Sequence, residues 1–175
     1  MYSLFKYMIM KNLFLFLLFG IAFNSSFSQN LPDYSSIKLE VKEDYNSVAN
    51  NAALQAANYI LATPVDKKNN DRLKSIVYVI KWMTGTPDYN FTLDEKYTKF
   101  AKKNDDLLML YMVAMAKFVL ENNTDSKDQN KIILNAVKLI VAYVKDSKNN
   151  VKINNELKKM IEADDNGKLS DYLKL

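Results

Sequence analysis

The side chains able to do chemistry in this chain are carboxylates, lysines, tyrosines and hydroxyls, because it contains neither histidine nor cysteine. That double absence removes Ser-His-Asp and Cys-His nucleophile sets. It also removes zinc sites of the usual His or Cys type and haem ligation by either residue. Gly85 and Gly167 are the only glycines beyond residue 20, so no glycine-rich phosphate loop can form. Nucleotide and dinucleotide enzymes drop out, and no cofactor is expected.

Three constellations remain. Asp94, Glu95, Asp105 and Asp106 could supply the acid/base pair of a carboxylate-dependent hydrolase acting on envelope polysaccharide. The stronger reading puts all four in first helical turns, where acidic residues suit the helix dipole and the cap. A second candidate aligns Gly167 with the sixth position of a calcium loop. Glu162, Asp164, Asn166 and Ser170 then fall at ligand positions. Leu173, however, occupies the place of the closing bidentate Glu, so a helix ended by Asn166-Gly167 in a left-handed cap is the better account. The third is the segment 81–91, KWMTGTPDYNF. Trp82, Tyr89 and Phe91 crowd it, and Thr86 and Asp88 add polar groups. Aromatics on a loop held by a rigid scaffold suit partner binding, whereas the competing reading has them sealing one end of the fold. Met109, Met112 and Met115 read as core filler.

The elements that must position these residues read as helices. Glycine and proline are scarce, and apolar residues recur at helical spacing. Residues 1–28 have the plan of a cleaved secretory signal: Lys6 and Lys11, an unbroken apolar run from Leu13 to Phe23, then small residues Ser26 and Ser28 before Gln29. The run is about half the roughly 20 residues needed to span a bilayer. No membrane span is expected after cleavage, and Met10 is an alternative start. Removing residues 1–28 from the 175 leaves 147, enough for one domain with a proper core. The full chain has 24 Lys+Arg against 20 Asp+Glu. Losing two leader lysines leaves 22 against 20, too small an excess to argue for nucleic acid. Arg72 is the single arginine, which points the same way.

Residues 29–44 alternate Ile37, Leu39 and Val41 with charged neighbours, a strand period without a partner, and are expected to form an extended arm. Residues 45–175 form one helical domain. A first helix over about 44–61 turns Val48, Ala52, Ala56, Tyr59 and Ile60 inward and stops at Thr63-Pro64. A second, capped by Asn70, buries Leu73, Ile76, Val77, Ile80 and Met83 and takes Gly85 as its C-cap. Thr92 to Glu95 forms a capping box for a short third helix. Asn104 caps a fourth, whose stretch 107–120 is apolar except for Lys117 and so belongs at the centre. Ser126 to Gln129 is a second box, opening a fifth helix. A sixth runs over about 151–164, with Ile153 on its apolar face, and ends at Gly167. A last turn covers about 169–173.

Short polar links make this a compact all-α bundle of about six helices, with a short helical-hairpin solenoid as the alternative. The stretches AANYILATP (56–64), KWMTGTPDY (81–89) and NDDLL (104–108) resemble those of small exported proteins of unknown function from Gram-negative bacteria. That resemblance implies export and a helical domain, and carries no residue role. The expected function is a non-enzymatic binding module, periplasmic or secreted, for an unknown protein or envelope component. The rival readings are the hydrolase above and a helical domain holding an apolar ligand.

Overall fold

A computed structural model of the chain describes residues 31–175; the expected leader falls outside them. Among the described residues there are seven α-helices and no strand. They are α1 (Ser47–Ala62), α2 (Asn70–Gly85), α3 (Glu95–Thr98), α4 (Asp105–Glu121), α5 (Gln129–Lys145), α6 (Asn155–Asp165) and α7 (Leu169–Leu173). Helix α4 packs against α1, α2 and α5. Its residues Val113–Ala116, together with Leu107 and Tyr111, are wholly buried. The enclosed apolar helix at the centre makes the arrangement a bundle.

Each long helix starts on a side-chain cap that satisfies otherwise orphaned N–H groups. Asn46 accepts from Val48 and Ala49, Asn69 from Arg72, Asn104 from Leu107, Asp128 from Lys131 and Asn154 from Leu157. Several caps differ from the sequence reading by a residue or more. Asn69 replaces Asn70, and Asp94 replaces Thr92. Asp128 replaces Ser126, which is buried and donates to Asn123 O at 2.9 Å instead. Thr92 Oγ1 lies 2.9 Å from Gln129 Oε1, tying the segment before α3 to α5.

The face of α1 against its neighbours is built from Ala49, Ala52, Ala53, Ala56, Ala57 and Ile60. Small side chains let α2 and α4 approach closely. Val48, expected inward, is 65% exposed. The C-terminus of α1 is closed by the lone arginine. Arg72 is buried, and its Nη1 donates to Ile60 O, to Thr63 O at 2.9 Å and to Thr63 Oγ1 at 3.0 Å. Tyr143 on α5 donates to the same Thr63 carbonyl at 2.6 Å. A cation on the last carbonyls of a helix is favoured by the dipole, so Arg72 serves the fold.

Helix α2 buries Met83 and half-buries Ile76 and Ile80 as the spacing suggests, but it is turned so that Leu73 and Val77 of that set are left outside. Ser75, Tyr78, Val79, Trp82 and Met83 face inward, whereas Leu73 is 43% and Val77 68% exposed. The inward stripe wins because its polar tips all find partners. Tyr78 donates to Ala49 O at 3.2 Å, Trp82 Nε1 donates to Asn50 Oδ1 at 2.8 Å, and Ser75 Oγ pairs with Tyr34 Oη at 3.0 Å.

Gly85 is the last residue of α2 and its φ is not positive, so it is no left-handed cap. A Cβ there would collide with the Tyr45 hydroxyl; glycine provides the space for that ring. Gly167 does adopt φ +67°, with Lys168 N–H returning to Ala163 O at 2.7 Å, as expected for a glycine that ends a helix. On α6, Ile153 lies before the helix and is 38% exposed, while Leu157 and Met160 are buried.

The arm is less extended than its alternation suggests. It contains two 3-10 turns, Tyr34–Ser36 and Lys42–Asp44. Leu39 is buried in the core, whereas Val41 is 55% exposed.

Candidate functional site

The aromatic segment expected to make contacts is anchored in the core by Trp82, while its other named residues are half-buried or exposed. Trp82 sits on α2 at zero exposure, so it offers no surface to a partner. Tyr89 and Phe91 are half-buried against it, their ring centroids 5.6 Å and 6.2 Å from the indole. Thr86 is the C-cap of α2, its N–H donating to Trp82 O at 2.9 Å, and Asp88 projects into solvent. Gln129 Nε2 donates to Asn90 O at 3.0 Å, holding the loop to α5.

The carboxylates named from sequence occupy the cap and first-turn positions that suit the helix dipole. Asp94 is exposed and accepts from Lys96 N–H as the α3 cap, and Asp105 and Asp106 occupy the first turn of α4. The calcium alignment fails on backbone shape. Glu162 and Asp164 lie within α6, where no loop can wrap an ion, and Asn166 Nδ2 donates back to Glu162 O at 2.9 Å. Asp164 pairs with the Lys145 ammonium at 3.6 Å and Asp165 with the same ammonium at 2.5 Å. Among the described residues no cluster of three or more carboxylates is placed to hold a metal.

What the structure brings together instead is a groove of about 690 Å³ between the arm and α2. Tyr34 and Tyr78 form its floor, stacked with centroids 4.6 Å apart and planes 24° from parallel. Leu31 and Pro32 form one wall, and the outward stripe of α2, Leu73 and Val77, forms the other. Lys74 and Lys81 stand at the rim with Asp33 and Asp71. The volume falls within the usual range of ligand sites.

The electrostatics of the groove favour binding over proton transfer. Burial pushes the Tyr78 phenol up to about 12, with Tyr34 and Tyr45 adding to it. Burial also raises Tyr34, against the hydrogen bond to Ser75. Asp33 is held below the usual carboxylate range by the Ser35 hydroxyl and N–H. These shifts drive the phenols toward permanent neutrality and Asp33 toward permanent charge. A general acid or base near neutral pH needs the opposite.

Leu73 and Val77 were visible in the sequence as an apolar i, i+4 pair. The missed signal was the competing stripe beside them. A helix packed on one side can bury only one stripe, so the other is left for a surface.

No protein family, curated protein or solved structure matches the chain.

Proposed function

We propose that this protein is an exported, non-enzymatic binding module that takes an apolar segment of a partner polypeptide into the groove between the arm and α2. The observation that carries the reading is that the outward Leu73 and Val77 line one open groove together with the stacked Tyr34–Tyr78 pair. Covering Leu73 and Val77 contributes about 1–2 kcal/mol each. The rim carries both signs of charge, which matches a polypeptide with flanking charged residues better than an uncharged apolar molecule. Export rests on the three-part leader over residues 1–28. No helix among the described residues is long and apolar enough to cross a membrane.

The binding test is selection from a displayed library of short random peptides. The purified protein should enrich sequences with spaced apolar anchors, and Val77→Glu or Leu73→Glu should abolish enrichment with helical circular dichroism unchanged. Enrichment that survives Val77→Glu but is lost in Tyr89→Ala would move the contact to the 82–91 loop and overturn the groove. For export, protein recovered from the soluble envelope or secreted fraction should begin at Gln29; an intact leader there would refute it.

A further inference from the structure

A second pocket, unrelated to the groove, is lined by the segment 96–100 and by α6 and the residues around α7. Its volume is about 300 Å³, the size of a small-molecule site. Four lysines line it, Lys96, Lys99, Lys159 and Lys174, against a single carboxylate, Glu156.

That carboxylate is already engaged. Glu156 accepts from Lys159 at 2.7 Å and from the Tyr172 hydroxyl at 3.0 Å, and these contacts hold it below the usual carboxylate range. Among the described residues, Lys96, Lys99 and Lys174 have no carboxylate within ion-pair distance. Lys96 is nevertheless held in place. Its ammonium lies 3.1 Å from Tyr97 Oη, 3.3 Å from Lys174 O and 4.7 Å from the centre of the Tyr97 ring. Four lysines lining one concavity against a single carboxylate, which Lys159 and the nearby charge of Lys99 already act on, leave a local excess of positive charge that a bound anion would offset. The chain as a whole carries only +4, so this excess is a local feature.

The residue types narrow the ligand. Lysine is a compact point charge with rotatable donors, suited to tetrahedral oxyanions; the planar fork that selects carboxylates belongs to arginine, and Arg72 is buried elsewhere. Tyr97, Phe100 and Tyr172 add flat apolar surface to the walls, which suits a ring attached to the anion. We propose that this pocket binds a small phosphate-bearing ligand of sugar-phosphate size, with Lys96 and Lys99 as its principal charge contacts.

The test is isothermal calorimetry on the purified protein with glucose 6-phosphate, inorganic phosphate and glucose as probes, in parallel with NMR of the tyrosine rings. Glucose 6-phosphate should bind saturably and shift the Tyr97 and Tyr172 resonances, inorganic phosphate should bind more weakly, and glucose should not bind. The double variant Lys96→Gln/Lys99→Gln should weaken glucose 6-phosphate at least about tenfold. Lys148→Gln, an exposed lysine elsewhere, should leave it unchanged. All three lysines are exposed, so the variants should keep the wild-type circular dichroism. The proposal fails if glucose 6-phosphate does not bind, if glucose binds equally well, or if Lys148→Gln weakens binding as much as the double variant. It also fails if the tyrosine resonances stay still. Tighter binding of inorganic phosphate than of glucose 6-phosphate would overturn the sugar-sized part of the assignment.

Discussion

Alanine at Gly85 separates two reasons a helix can end in glycine. If Gly85 were a left-handed cap, alanine would be strained whatever its neighbours. The structure gives it an ordinary φ, since Gly167 is the glycine with a positive value. Alanine therefore fits the backbone and gains up to about 1 kcal/mol of helix propensity, less at a terminus. Against this stands the Tyr45 ring. The new Cβ would overlap the hydroxyl, with Cζ 2.5 Å away, and Tyr45 packs against the core. Overpacking of this kind costs about 1–3 kcal/mol. Gly85→Ala should therefore lose about 1–2 kcal/mol, lowering Tm by about 3–6 °C for a domain of this size. Tyr45→Ala removes the obstacle, and in that background Gly85→Ala should stabilise by about 0.5 kcal/mol. The double-mutant coupling is then about 2 kcal/mol, measurable from urea midpoints of the four proteins. Equal destabilisation by Gly85→Ala in both backgrounds would refute the packing argument and restore the cap.

Gly167 should behave in the opposite way. Nothing lies within 4 Å of its ideal Cβ, so Gly167→Ala should cost about 1 kcal/mol from backbone strain alone, and Gly167→Asn less, by chemical denaturation. Tyr111→Phe should leave stability unchanged or raise it by up to about 1 kcal/mol, because the buried Tyr111 hydroxyl has no hydrogen-bond partner; a loss in thermal melts would reveal a partner. Stability should be nearly flat between about pH 5 and pH 9, since without histidine or cysteine no side chain titrates there at its usual value. Depressed carboxylates such as Asp33, Asp44 and Glu156 contribute stability above their unfolded values near 4, lost as pH falls through the folded ones. Tyr78 is raised from 10.0 to about 12, so its contribution is present below 10.0 and lost as pH rises toward 12. Denaturation midpoints against pH check both limbs, and a midpoint that moves between pH 6 and pH 8 would contradict them.

The helices were legible in the sequence because their signals are local. The apolar stretch of α4 shows its central place without reference to any other element, and Asn104 is read directly as its cap. Caps slipped where two eligible residues stood close together, as at Asn69 and Asn70. The facing of α2 was only partly legible, with Met83 buried as expected and Leu73 and Val77 not, for a different reason. Its inward stripe is held by pairs distant in sequence: Trp82 with Asn50, Tyr78 with Ala49 and Ser75 with Tyr34. A count of apolar residues ranks Leu73 and Val77 above Ser75 and Arg72, because it charges polar tips with a burial cost that those hydrogen bonds remove. The same error hid the groove. Once polar-tipped residues take the inside of α2, its most apolar pair is left outside, beside an arm whose Tyr34 is fixed by the inward Ser75 and Tyr78. Core and candidate site are thus set by one choice on one helix. A change that reversed it, such as Ser75→Leu with Tyr34→Ala, would remove the floor of the groove along with the polar pairing that keeps Leu73 and Val77 at the surface.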